Sequence, residues 1–208
     1  MAEIREAQIG ITNKDEIISR KIINPENCVM AFGIPITKED FLKDLKNPYK
    51  DFARRFKGGW TQYYHQIVSN SDTILPEIRK YGAEIQTIAS DRFRNIFKEN
   101  KYDIIILFSH WQKDTIELYD KAVGITEIVQ LIPYEFNGII DLCVCHPEKL
   151  TIALRKERPN CLIRYAQNKA TPFIWLYFYL FLFKQLQAKD VNYLEALELT
   201  IQKFLNKK

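Results

Sequence analysis

Short apolar runs alternate with helical patterns along most of the chain. The segments Asp103-Ile104-Ile105-Ile106-Leu107-Phe108-Ser109-His110-Trp111 and Gly138-Ile139-Ile140-Asp141-Leu142-Cys143-Val144-Cys145-His146-Pro147 read as strands buried on both faces. Cys28–Ile36 is a plausible first strand, Ala83–Ala89 a second, and Cys161–Tyr165 a later one. Helices are expected between them. Thr37 caps one, with Asp40 three residues on. Pro76–Gly82 closes another, with Gly82 at its C-terminal cap. Ser90–Lys98 has apolar positions at 93, 96 and 97, one face of a helix. Thr115–Asp120 looks short and β-like. Thr126–Leu131, Pro147–Lys156, Pro172–Gln187 and Val191–Phe204 read as helices. Residues 1–25 are a helix or hairpin flanking the core. Strands alternating with helices predict a mostly parallel central sheet.

Composition narrows the class. With 208 residues the chain holds one sizeable α/β domain, spanning 1–208, and shows no internal repeat or Pro/Gly/Ser linker. Hydrophobic residues at 47% and charged residues at 27% exclude global disorder. The net charge of +4 is spread out, its densest clusters being Arg54-Arg55 with Lys57 and Lys207-Lys208, so a solvated face is expected rather than a nucleic-acid footprint. The most apolar run, Phe173–Phe183, makes a helix of roughly 16 Å against a hydrocarbon core of about 30 Å, which favours a core helix over a membrane span. Met1-Ala2-Glu3-Ile4-Arg5 carries an early acid and no apolar leader. The four cysteines, Cys28, Cys143, Cys145 and Cys161, lack the spacing of a disulfide framework, so the expectation is cytoplasmic, with free thiols.

The candidate chemistry lies at the ends of the two central strands. In open parallel sheets, reactions gather at the carboxyl ends of the strands. With a period of two, Asp141, Cys143 and Cys145 share one face. Pro147 stops the ladder, so Cys145 is the last residue on its face before the turn. A thiolate is the nucleophile of a Cys-His site, and an imidazole at His110 would take its proton. The bland readings are a structural histidine and core cysteines, and Cys28 and Cys161 are expected in the core. His146 reads as a turn residue and His65, beside Trp60-Thr61-Gln62-Tyr63-Tyr64, as packing or surface. Zinc at Cys143, Cys145, His146 and His110 lacks the spacing of structural sites. No glycine-rich phosphate loop is present to support a nucleotide-binding domain.

Histidine first and cysteine 35 residues later, each ending a strand, resembles the caspase-like cysteine peptidases, and the CHAT domain in particular. The resemblance covers roughly residues 74–206. It rests on Gly82-Ala83-Glu84 through Phe93 with Lys101-Tyr102-Asp103, on Phe108-Ser109-His110, and on Ile116–Asp120 with Ile125–Ile128. Leu142-Cys143-Val144-Cys145, Phe178-Tyr179 with Leu182, and Glu195-Ala196-Leu197 complete it. The resemblance implies an α/β fold, a three-layer α/β/α caspase-like sandwich with a central mostly parallel sheet. It implies a cysteine endopeptidase with a catalytic His110–Cys145 dyad, no cofactor and no metal, a protein substrate, and a separate activator or sensor protein, plausibly in bacterial defence or signalling. Direct nucleic-acid or membrane partners are not implied. Departures from the family pattern leave alternatives open. Trp111 stands where the family carries glycine, which favours a pseudo-protease acting as an interaction module. Asp141-Leu142-Cys143 resembles the Asp-x-Cys of metacaspases, which would make Cys143 the nucleophile and Asp141 a residue lining the pocket for a basic substrate side chain. Asp141 also reads as a hydrogen-bonded structural residue.

Overall fold

The computed structural model describes residues 13–46, 59–98, 100–112, 114–165, 172–188 and 190–205. Its centre is a five-stranded sheet in the order β2-β1-β3-β7-β8, in which every neighbouring pair is parallel. The strands are β1 (Cys28–Phe32), β2 (Glu84–Thr87), β3 (Ile104–Phe108), β7 (Ile139–Cys143) and β8 (Leu162–Tyr165). All five residues of β1, β3 and β7 are buried, as required of strands covered on both faces. The edge strand β2 is only half-buried, and its Glu84 and Gln86 alternate with Ile85 and Thr87.

Alternation along the strands divides the apolar residues into two layers. One layer takes Met30, Ile106, Phe108 and Cys143 and packs under α1 (Asn13–Ser19), α2 (Lys38–Lys46), α4 (Ser69–Arg79), α8 (Pro172–Leu186) and α9 (Tyr193–Leu205). The other takes Val29, Ala31, Ile105, Leu107, Ile140 and Leu142 and packs under α5 (Ser90–Lys98), α6 (Ile125–Leu131) and α7 (Glu148–Glu157). Right-handed crossovers explain the division. The chain runs one way from β1 to β2, then reverses to add β3, β7 and β8, so the two sets of connecting helices fall on opposite faces. The chain is thus an α/β protein with a parallel sheet between helical layers.

Several elements differ in extent from the sequence expectation. β1 ends at Phe32, because Gly33 turns the chain out of the sheet. The predicted strand 103–111 divides into β3 and a separate β4 (Trp111–Gln112). β4 pairs antiparallel with β5 (Thr115–Glu117), and β5 with β6 (Ala122–Gly124). Upstream of α4, α3 (Gly59–Tyr63) runs into a π-helical turn, Tyr64–Val68, which apolar periodicity did not signal. Gly82 closes α4 with a φ of 90° and an N–H bond to Arg79 O at 2.9 Å, as expected. Residues 1–12 of the predicted flanking segment lie outside the described residues, whereas 13–25 supply α1 and the start of a 3-10 turn. Among the described residues no helix is long and apolar enough to cross a membrane.

β5 and the residues after it form a strap across the carboxyl ends of β1 and β2. Tyr119 N donates to Ile88 O at 2.7 Å, and both carboxylate oxygens of Asp120 receive bonds from Ser90, the first residue of α5. Beneath the strap the chain at Gly33 comes so close that an added Cβ would stand 2.0 Å from Glu117 O and 2.8 Å from Ser109 Oγ. Two backbones cannot yield that much without losing Gly33 N–H to Phe108 O, a bond of 3.0 Å. Gly33→Ala is therefore expected to destabilise the fold by about 1–3 kcal/mol, as overpacking does, and urea unfolding would measure it. An unchanged midpoint would mean that the strap is not held against β1.

Candidate functional site

β3 and β7 are neighbours in register, with Phe108 opposite Cys143. Ser109 N extends the ladder by a 3.3 Å bond to Cys143 O. His110 and Cys145 are each two residues beyond this last pair, so both follow adjacent strands at the carboxyl edge of the sheet. Neighbouring strands lie about 4.8 Å apart. Both side chains are half-buried. His146 follows with a φ of 52° and is exposed, which places it in the turn, and Pro147 then leads into α7.

Cys143 and Cys145 have different surroundings although only one residue separates them. Cys143 is 5% exposed, beneath α8, and burial pushes its thiol well above the ordinary range, with the nearby Asp141 charge adding to the effect. A thiol held protonated in this way is a poor nucleophile. Cys145 lies beyond the end of β7 and is half-buried. Cys28 and Cys161 are core residues; burial raises both thiols, that of Cys161 to about 12. All four cysteines are free thiols.

Asp141 does not reach the surface. It is 2% exposed and forms an ion pair with Arg164, its partner in the β7–β8 register. Arg164 also lies 4.8 Å over the ring of Phe178. Burial raises the Asp141 carboxyl above its usual value while the Arg164 charge pulls the other way. With its carboxylate occupied here, Asp141 ties the two strands to α8 and lines no substrate pocket. In the sequence, Arg164 is marked only as a lone basic residue between the apolar Cys161-Leu162-Ile163 and Tyr165.

The hairpin after His110 decides how Trp111 is used. Glu117 N donates to His110 O at 3.0 Å, so the rung before the Trp111–Ile116 pair is of the hydrogen-bonded type. In antiparallel ladders bonded and non-bonded rungs alternate, which turns the Trp111 N–H away from β5. The indole is partly buried against the apolar layer that contains Ile116. At the hairpin's far end Asp114 accepts two bonds from Lys149 Nζ, at 2.9 and 3.0 Å, joining the His110 arm to the helix after Cys145. Glu117 is also notable, being 5% exposed in a short strand; only its position between the apolar Ile116 and Leu118 marked it in the sequence. His65 sits exposed on the π-helical turn, edge-on to Tyr64. Among the described residues no group of three or more His, Cys, Asp and Glu side chains is placed to hold a metal ion. Compared with known proteins, the chain matches no family model and no curated protein.

Two stability predictions arise from this arrangement. Arg164→Met leaves a buried, unpaired carboxylate at Asp141 and is expected to destabilise by about 3–5 kcal/mol, whereas Asp141→Leu in the same chain restores most of the loss. A loss in the double variant equal to the sum of the Arg164→Met and Asp141→Leu losses, read by denaturant titration, would show that the pair is not coupled. The second concerns alkaline pH. The Cys28, Cys143 and Cys161 thiols are raised in the folded state, so their contribution is complete below the ordinary thiol range of about 8.5–9 and is lost as pH climbs above it. The unfolding midpoint should therefore fall from about pH 9 upward, and Cys143→Ala should flatten part of that fall.

Proposed function

We propose that this chain is a cysteine endopeptidase of the CHAT and caspase-like kind, acting through His110 and Cys145. The observation that carries the reading is the equal register of the two residues beyond adjacent parallel strands. His110 takes the thiol proton of Cys145, and the thiolate attacks the scissile carbonyl carbon. The oxyanion forms beside main-chain donors at the strand ends, with the Trp111 N–H turned away from β5 to serve as one. When the C–N bond breaks, the departing amine receives the proton from His110. Water, deprotonated by His110, then hydrolyses the thioester and frees Cys145.

Burial supports Cys145 over Cys143 as nucleophile, and the ladder pattern that turns the Trp111 N–H away from β5 supports its role as a donor. What the family likeness adds is a caspase-like identity for the fold, a cytoplasmic location, a protein substrate, a separate activator, and a role in bacterial defence or signalling. The alternative is a pseudo-protease that keeps the fold and recruits partners, and Trp111 in place of glycine is the feature that favours it.

The decisive experiment maps iodoacetamide labelling by mass spectrometry from pH 5 to 9, on the wild type and on His110→Ala. Selective labelling of Cys145 at low pH, slowed in the variant by roughly 10²-fold or more, is the expected result. Slow labelling of Cys145 that ignores His110 would sink the dyad and leave the interaction module. Labelling concentrated at Cys143 would move the nucleophile two residues and contradict the burial argument.

A further inference from the structure

Glu117 is one of only a few charged residues buried among the described residues, and a carboxylate is removed from water at a large cost unless a partner compensates it. Asp141 has Arg164. The position of Glu117 indicates its own role. The pairs Trp111–Ile116 and Gln112–Thr115 define the antiparallel register, and the 3.0 Å bond from Glu117 N to His110 O continues it by one rung. His110 and Glu117 are thus directly opposite. Residues opposite one another in an antiparallel ladder send their side chains to the same face, with Cβ atoms about 4.5–5.5 Å apart. Ile116 takes the other face and enters the apolar layer with Trp111.

The backbone of Glu117 is held on both sides of this rung. Its carbonyl accepts from Ser109 Oγ, its N–H is spent on His110, and Gly33 approaches it closely from β1. A carboxylate fixed in this way beside an imidazole can hold one ring nitrogen and turn the other outward, and it stabilises the imidazolium that forms when the ring takes a proton.

We propose that Glu117 is the positioning residue of the site: it orients the His110 ring toward Cys145 and supports its positive charge, so that the pair works as a triad. The assignment rests on the dyad reading above for its purpose, and on the hairpin register for its geometry.

The test uses Glu117→Gln, which keeps size and an acceptor oxygen but removes the charge, with Glu117→Asp as the charge-retaining control. Two quantities are read: the titration of the His110 ring by NMR, and the rate of Cys145 alkylation at neutral pH. In the Gln variant the His110 midpoint should move to lower pH, and alkylation should slow by about tenfold or more. The Asp variant should recover a large part of both. An unmoved His110 midpoint in Glu117→Gln overturns the assignment, whatever the thiol does. Should the Gln variant fail to fold, a Glu117→Ser chain titrated beside Glu117→Asp makes the same comparison, and equal His110 midpoints in the two overturn it. The dyad reading fails by a different result, unchanged Cys145 labelling in His110→Ala, so the two failures are told apart.

Discussion

Parallel pairing of β3 with β7, buried on both faces, sets the conditions for everything around it. Each strand must be apolar on both sides, so any polar group placed there needs an internal partner. Asp141 meets that requirement through Arg164 on the next strand, directly across the register. The same register ends both strands at one level, because Phe108 faces Cys143. The residues that follow the two strands leave the sheet at the same carboxyl edge, and His110 and Cys145 are among them. A slip of one residue would turn the apolar side chains to the wrong layers and separate the pair.

The crevice where the strand order reverses, between β1 and β3, is the usual place for a ligand in such sheets. Here the strap occupies it. Gly33, Ser109 and Glu117 pack there at distances that exclude a side chain on Gly33, and Tyr119 and Asp120 fasten the strap to the residues after β2. Closing the crevice also brings a buried glutamate beside His110. The structural role of the strap and the proposed positioning role of Glu117 thus come from one piece of chain.

Burial also separates two thiols of nearly identical sequence context. Cys143 completes β7 beneath α8, where desolvation keeps it protonated, and it serves the core. Cys145 follows after the ladder has stopped and before Pro147 leads into α7. Strand alternation places both on one face and leaves the choice between them to where the strand ends and what covers it.

Apolar runs made β1, β3 and β7 legible, because a strand covered on both faces has few polar positions to confuse its pattern, Asp141 in β7 being the exception. Helix ends were readable where a residue has a local reason to be there, as with Gly82 at a positive φ and Thr37, whose Oγ1 accepts from Asp40 N at 3.0 Å. The separation of β4 from β3, the strand β6 and the π-helical turn were not, since a strand of two or three residues holds too few positions to show a period and a single π turn between helical segments leaves no distinct apolar pattern. The mostly parallel character of the sheet, the candidate histidine and the candidate cysteine were legible in the sequence alone, through local patterns of apolar side chains and turn residues. The strand register, the burial of Cys143, the Asp141–Arg164 pair and the placement of Glu117 opposite His110 were decided only by the tertiary structure. Each of these depends on contacts between segments distant or differently paired along the chain, and local propensity carries no record of which strand will lie beside which.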